Sequence, residues 1–370
     1  MSFDRSSGVF AVENLFSEMT TTQPLQPEVS IVIPARNEET SLASCLESLV
    51  GQTGVAFEII VVNDHSSDRT HEIASSFRNV KVMDAPALPS GWTGKNNALI
   101  AGVAQARGEW LLFTDADTMH LPGSLARALH EARAAQAALL SYSPEQVVSG
   151  FWEKAVMPVI FAELAAHYRP SEVSNPNSPA AAANGQYILI IREAYDAIGG
   201  HVAVADKILE DVELARAVKH SGRRILFRFG GDAVRTRMYR SFSQLREGWT
   251  KNLAILFGSP ARLALWRLSE FLALVLSLAL LAFFVASRQF LIAALFLIGP
   301  VFTFRRIARA HFPWSANALA LFGIPLFSYL LLRSKRSHLA GRVTWRGREY
   351  TEPPQNILPD HSPRIVRKLS

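Results

Sequence analysis

One cysteine, Cys45, serves a chain of 370 residues. A single thiol can build neither an internal disulfide nor a thiolate metal site, so the secreted, disulfide-stapled class is excluded and a reducing cytoplasm suits the chain. The opening residues hold Ser, Thr and Gln but no apolar run. Residues 1–27 are therefore expected to form a loosely ordered leader, neither signal peptide nor anchor. Helix-turn-helix, zinc-finger and RNA-binding signatures are missing, and no nucleic-acid partner is expected. An acidic excess is missing too: 38 Lys and Arg stand against 32 Asp and Glu, a formal net charge of +6. That balance suits phosphates or an anionic lipid surface. There is no internal repeat.

What is present begins with short β-branched runs separated by helical spacing. Residues 29–34 (VSIVIP), 57–62 (FEIIVV), 80–83 and 110–113 (WLLF) read as strands, with 187–191 and 225–229 further on. Residues 38–49, 67–77, 96–107, 121–138, 193–198 and 210–221 read as helices, several closed by glycine. Such alternation predicts an α/β domain with a mostly parallel sheet over residues 28–240. Ligands in these sheets bind beyond the carboxyl ends of the strands. Residues 151–168 suit a packed helix and a membrane-interface helix equally.

From about residue 260 the composition turns apolar. Residues 271–287, 290–304 and 312–332 carry no charge. The third run reaches the roughly 20 residues a bilayer requires; the first lies at the lower edge and the second falls short. Arg305, Arg306 and Arg309 follow the second run, and Arg333, Lys335 and Arg336 follow the third. The positive-inside rule then makes the first two runs a hairpin with both ends in the cytoplasm, a multi-pass arrangement in the inner membrane with the catalytic domain cytoplasmic. The third run is basic at both ends, which conflicts with a simple crossing. With Gly323-Ile324-Pro325 at its centre, a broken, re-entrant or interfacial pair of short helices is expected. Residues 241–265 are expected to be an interfacial amphipathic segment, 266–333 the transmembrane or re-entrant helices, and 334–370 a basic tail that binds anionic lipid.

The chemistry-bearing residues sit at strand ends. Asp115-Ala116-Asp117 follows WLLFT, and carboxylates at i and i+2 can both reach one hard divalent cation, Mg²⁺ or Mn²⁺, which bridges diphosphate oxygens. Alone, that triplet is common in loops; its place directly after a buried strand raises its weight. Asp64 ends the second strand, where a carboxylate accepts hydrogen bonds from a base or ribose; capping the next helix is the plainer role, and Asp68 suits that better. Pro34, Arg36 and Glu38 end the first strand and can wall a nucleotide pocket, although Glu38 also reads as a helix-start acid. Glu210 and Asp211 open a helix, where acids are favoured by the dipole whether or not they react.

Taken together, Pro34-Ala35-Arg36-Asn37-Glu38, Asn63-Asp64-His65-Ser66-Ser67-Asp68, Asp115-Ala116-Asp117 and Glu210-Asp211 resemble glycosyltransferase family 2, inverting enzymes of the GT-A fold, over about residues 29–240. Asn63 departs from the family's first Asp. Gly91-Trp92-Thr93-Gly94-Lys95 and the run from Asp115 to Pro122 resemble lipid-directed members: hopanoid-associated, carotenoid-type and ceramide glucosyltransferases. The resemblance implies a GT-A (Rossmann-like nucleotide-diphospho-sugar transferase) domain followed by a C-terminal α-helical membrane region. It implies transfer from a nucleotide-sugar donor, UDP-linked, to a lipid acceptor in the bilayer. Asp211 matches the base, with Glu210 orienting the acceptor; Asp64 contacts base and ribose; Lys95 neutralises phosphate; Asp115 and Asp117 hold the metal. His120 is either a further metal or diphosphate contact or a structural residue. Gln244, Arg246 and Trp249 are similar to a Gln-x-x-Arg-Trp motif at altered spacing, able to close the donor or acceptor site, with a membrane-surface helix as the plainer role. The altered motif argues against a processive polysaccharide synthase. Two alternatives stand beside this reading: a polyprenyl-phosphate glycosyltransferase, and a non-catalytic membrane scaffold that binds a nucleotide-sugar.

Overall fold

The computed structural model describes residues 26–345 and 348–350. The leader expected over 1–27 and the tail beyond Tyr350 thus fall almost wholly outside the described residues, as do Arg346 and Gly347.

Seven strands form the main sheet: β1 (Val29–Ala35), β2 (Phe57–Asn63), β3 (Val80–Asp84), β4 (Trp110–Phe113), β6 (Leu139–Ser143), β8 (Ile188–Ile191) and β9 (Ile225–Phe229). Their order is β3-β2-β1-β4-β8-β6-β9. β1 pairs in parallel with both β2 and β4, and only β8 runs antiparallel to its neighbours. The sheet is thus mixed, with its strand order reversing between β1 and β4. That reversal leaves a crevice at the carboxyl ends of β1, β2 and β4. A small sheet of β5 (Thr118–His120), β10 (Val234–Thr236) and β7 (Glu145–Gln146) covers one end of the main one.

Helices α1 (Leu42–Val50), α2 (Thr70–Ser75) and α4 (Ser124–Ala134) lie on one face of the sheet. Leu42, Leu46 and Leu49 of α1 join Ile31, Ile33, Ile59 and Val61 in a buried cluster there. On the other face, α3 (Gly94–Val103) and α8 (Glu210–His220) bury Ala98, Leu99, Leu214 and Val218 against Val32, Ile60 and Leu111. Short helices α6 (Pro170–Ser174) and α7 (Arg192–Ala197) complete the layer. Alternate residues of each central strand serve the two clusters, as the two-residue repeat of a strand requires.

A third apolar core is shared with the C-terminal region. Here α5 (Phe151–His167) and α9 (Phe242–Leu256) meet α10 (Pro260–Ala286), α12 (Ile298–Ala308) and α13 (Trp314–Leu339), while α11 (Phe290–Leu295) packs on α10. Residues 151–168 are therefore a packed helix, with Val156, Val159 and Ile160 fully buried. The expected amphipathic segment at 241–265 is α9 plus the first turns of α10; Leu245, Trp249 and Leu253 of α9 point into the core. Three helical stretches, 260–286, 290–308 and 314–339, are long and apolar enough to cross a membrane.

One expectation is corrected. The third run is a single continuous helix, α13, with Pro325 inside it; the break falls in the second run, between α11 and α12. Pro300 stands in the first turn of α12, two residues after its start. Proline has no N–H to extend α11 and its ring clashes with the preceding turn, so the chain restarts there. Pro325, by contrast, is spliced into a helix held along its length by its neighbours, and the packing carries it through.

Candidate active site

A cavity of about 830 Å³ opens at the carboxyl edge of the sheet. Pro34, Arg36 and Glu38 come to it from the end of β1, Asp64 from β2, Asp115 and Asp117 from the turn after β4, Lys95 from α3, and Glu210 and Asp211 from α8. These residues are far apart in sequence, and the strand-order reversal gathers them around one space.

The turns after β1 and β2 are locked together. Asn37 and His65 both take positive φ, 52° and 51°. The Asn37 Oδ1 accepts the Ser67 N–H at 2.9 Å, and Arg36 Nη1 donates to the Asp64 carbonyl at 2.7 Å. Asn63, where the family pattern has Asp, donates through Nδ2 to Asp84 Oδ1 at 2.7 Å and so ties β2 to β3. Asp68 accepts from the Thr70 N–H at 3.0 Å and starts α2, leaving Asp64 to face the cavity. Glu38 Oε2 accepts from Ser41 Oγ at 2.7 Å, a helix-start contact made from the cavity wall.

Lys95 is the hub of the charges. Its Nζ lies 2.9 Å from Asp115 Oδ1 and 2.8 Å from Glu210 Oε1. It occupies the first turn of α3, where the helix dipole disfavours a cation. Thr93 caps that helix, accepting the Asn96 N–H at 3.2 Å, and buried Asn96 donates to the Val204 carbonyl at 2.8 Å. Burial opposes the ammonium charge, yet Asp115, Glu210 and Asp211 outweigh it and hold the lysine well above its ordinary range.

Asp211 is the second residue of α8. Its Oδ2 accepts the Gly185 N–H and its Oδ1 the Val212 N–H, both at 2.8 Å. Burial and then the adjacent Glu210 carboxylate push it up to about 6, against the pull of Lys95 and of those two N–H groups. Gly185 sits where the charges converge: a Cβ there would lie 2.9 Å from Lys95 Nζ, 3.3 Å from Glu210 Oε1 and 3.4 Å from Asp211 Oδ2. Lys251, on α9 at the same cavity, is lowered by burial, with Glu210 opposing and Lys95 reinforcing.

Three residues singled out from the sequence do not line the cavity. His120 is buried beneath it, its Nε2 3.1 Å from Thr114 Oγ1 and 3.2 Å from Thr118 Oγ1; burial drives it down to about 3, so the ring is neutral. Pairing of β5 with β10 turns that side chain inward, which corrects the metal or diphosphate contact and leaves the structural role. Gln244 takes the Arg240 N–H on its own Oε1 at 2.9 Å, and the Arg246 guanidinium stands 5.9 Å from the Phe242 ring. Trp249 does reach the cavity, with its Nε1 3.4 Å from Met157 Sδ. Sequence reasoning missed Gly185, whose position just ahead of a strand was the available signal. It also missed Arg169, Arg306, Arg309 and His311, which line the same cavity. His311 stacks on Phe229 of β9 with ring centroids 4.2 Å apart.

The donor set at the turn after β4 suits a hard cation. Asp115 and Asp117 supply carboxylate oxygens, and among the described residues no group of three His, Cys, Asp or Glu side chains gathers to enclose an ion. Two carboxylates completed by phosphate oxygens and water are the habit of Mg²⁺ and similar ions at nucleotide sites, not of an all-protein cage.

An α/β sheet with one antiparallel strand, a crevice at its order reversal and an acidic turn after β4 make this a GT-A-like domain. Residues 30–199 match the profile of Glycosyl transferase family 2, and the protein is a glycosyltransferase. It is 28% identical over 341 residues to 4,4'-diaponeurosporenoate glycosyltransferase of Staphylococcus aureus, covering 87% of this chain and 88% of that one. Among solved structures, it is similar to the mannosyltransferase PcManGT from Pyrobaculum calidifontis in complex with GDP-Man and Mn²⁺, at 17% identity and a TM-score of 0.49, covering 85% of this chain and 88% of that chain. It is also similar to S. aureus TarS 1-349 in complex with UDP-GlcNAc, at 16% identity and a TM-score of 0.42, covering 88% of this chain and 99% of that chain.

Proposed function

We propose that the protein transfers a sugar from a UDP-linked donor to a hydroxyl of a membrane lipid, with inversion, at the cytoplasmic face of the inner membrane. The observation that carries this reading is one cavity lined at one end by Asp64, Asp115, Asp117 and Asp211 and at the other by residues of α5, α9 and the α12–α13 turn. A water-soluble acceptor has no need of a wall built from membrane-flanking segments. The name of the S. aureus relative, 4,4'-diaponeurosporenoate glycosyltransferase, supports an apolar lipid acceptor, although an -oate presents a carboxylate and not the hydroxyl proposed here.

In this reading Pro34, Arg36, Glu38 and Asp64 hold the base and ribose of the donor. Asp115 and Asp117 hold Mg²⁺ or Mn²⁺, which supplies charge neutralisation to the leaving diphosphate. Lys95 adds a compact positive charge beside the same phosphates. Asp211 accepts the proton of the acceptor hydroxyl as its oxygen attacks the anomeric carbon; the bond to the diphosphate breaks and its electron pair leaves with the phosphate. A carboxylate with a pKa raised to about 6 is still ionised at neutral pH and is a better base than an ordinary aspartate. Glu210, bound to Lys95, keeps Asp211 and the acceptor in register.

A second reading is favoured by Arg169, Arg306 and Arg309 on the cavity wall. An acceptor with its own negative charge, such as a polyprenyl phosphate, suits those cations and needs no base. Incubating the detergent-purified protein with a panel of nucleotide-sugars and total membrane lipid, then identifying new glycolipids by mass spectrometry, tests both. A glycosylated lipid alcohol supports the first, a glycosyl phospholipid the second, and donor turnover with no lipid product refutes the lipid acceptor.

A further inference from the structure

Helix α13 has the length and apolarity of a membrane span, but besides α10 it packs on α5 and α9, and those two helices do not belong in hydrocarbon. The other two stretches behave as spans should. In α10, Leu265, Trp266, Leu272, Leu276 and Phe283 are all more than half exposed, and few side chains are covered on any side. In α12, Ile298 and Phe302 are likewise open. Helix α13 instead buries Ala316, Ala320, Ile324, Phe327, Leu331 and Ser334, in one cluster with α5 and α9 of the catalytic part and with Ala264 and Leu274 of α10.

The contacts run from one end to the other. Phe312, just before α13, meets Phe161 of α5 with ring centroids 5.8 Å apart. At mid-helix Gly323 lies so close to α5 that a Cβ would stand 1.9 Å from the Ala155 carbonyl oxygen, and Phe322 meets Phe151 at 6.3 Å. Toward the C-terminus, Ser334 Oγ donates to the Thr250 carbonyl at 2.6 Å and accepts the Ala254 N–H at 2.8 Å, while His338 Nε2 lies 2.8 Å from the Lys251 carbonyl oxygen. The partner helices carry charge: Glu153 and Lys154 on α5, and Arg246, Glu247 and Lys251 on α9. Glu153 is also tied to Arg237, just beyond β10, at 3.1 Å. A crossing by α13 would draw these residues to membrane depth beside it, where charged side chains are costly and rare.

We infer that α13 does not cross the bilayer: only the α10–α12 hairpin spans it, and α13 lies on the catalytic side with its open face against the lipid interface. That face carries Trp314, Phe322, Tyr329 and Leu339, with Arg333 and Arg336 beside them. Aromatic side chains next to arginines suit the headgroup boundary. The arrangement also removes the charge conflict, because Arg305, Arg306 and Arg309 before the helix and Arg333, Lys335 and Arg336 at its end all stay on one side. It is independent of which acceptor or sugar the enzyme uses.

Three variants of the full chain, each adding one cysteine, test it in sealed vesicles of known orientation, with a membrane-impermeant maleimide. Glu72→Cys marks the catalytic side, Ser287→Cys the turn between α10 and α11, and Ala340→Cys the end of α13; all three positions are exposed, and native Cys45 is fully buried. Ala340→Cys is expected to react from the same side as Glu72→Cys, and Ser287→Cys only from the other. Labelling of Ala340→Cys together with Ser287→Cys would mean three crossings and overturn the inference. Labelling of all three from one side would overturn the spanning hairpin. Leu339→Cys reads the same location should Ala340→Cys fail to fold.

Discussion

Replacing Asp211 by Asn keeps the shape of the side chain and removes its capacity to take a proton. A positioned base contributes on the order of 10²–10⁴ in rate, so kcat should fall by about that factor. Donor affinity should stay within about threefold, because Lys95 keeps Asp115 and Glu210 as partners at 2.9 and 2.8 Å. The pKa shift adds a second, independent readout. Asp211 rises from 3.8 to about 6, so between those values the folded chain binds more protons than the unfolded one and stability falls as pH rises through the window. Two units at about 1.4 kcal/mol each set a ceiling of about 3 kcal/mol. The carboxylate faces a large cavity, and Asn offers one acceptor to the two N–H groups, so a gain of about 1 kcal/mol at pH 7 is a fair expectation. For the unmodified enzyme, kcat/KM should fall about tenfold per unit below pH 6 and level off above. Transfer assays with labelled donor, calorimetric donor binding and thermal unfolding measure the three quantities. Normal turnover by the variant refutes the base; a less stable variant that no longer binds donor would mean a structural carboxylate instead.

Chelation by EDTA should stop transfer and added Mn²⁺ or Mg²⁺ restore it; full activity in EDTA would remove the metal role of Asp115 and Asp117. Gly185→Ala brings a Cβ to 2.9 Å from the Lys95 ammonium, the movable end of a flexible side chain, so the fold should hold while donor KM rises about tenfold from a disturbed charge contact. An unchanged KM would separate Lys95 from the donor. Glu163 of α5 pairs with Arg306 and, at 3.0 Å, with Arg267, and Glu270 meets Arg306 at 3.0 Å. Glu163→Gln leaves two buried guanidinium groups short of a partner, and breaking such pairs costs about 3–5 kcal/mol. The thermal midpoint in detergent should drop by several degrees, and an unshifted midpoint would show the cluster to be dispensable.

Strands β1, β2, β4 and β8 were readable because each is a short apolar run buried on both faces, and such runs look the same whatever surrounds them; β6, LLSYS, was not, because its serines and tyrosine interrupt the run. Strands β5, β7 and β10 were not: at two or three residues they exist only through their partners. Nor does spacing disclose that β8 runs antiparallel between β4 and β6, since direction is settled by pairing. The four aspartates that line the cavity were visible as acids at strand ends and at a helix start, positions that a parallel sheet places on one edge. Arg306, Arg309 and His311 were invisible as cavity residues because they arrive from the far side of a long apolar helix, remote in sequence from the other cavity residues. His120 misled by its closeness to Asp117 in sequence; strand alternation puts Thr118 and His120 inside, and Met119 outside. The glycine and proline at the centre of α13 suggested a break, yet Gly323 serves close packing against α5.

The third core has a consequence for how the enzyme can be handled. Val156 and Ile160 of α5 and Leu245 and Trp249 of α9 share one buried cluster with Leu274 of α10, Ile307 of α12 and Phe327 of α13. A fragment cut at Gly258 to obtain a soluble enzyme would strip that cluster of half its members and strand Glu163 at a raw apolar surface. Anchor and enzyme are one folding unit, and neither half is a finished object without the other.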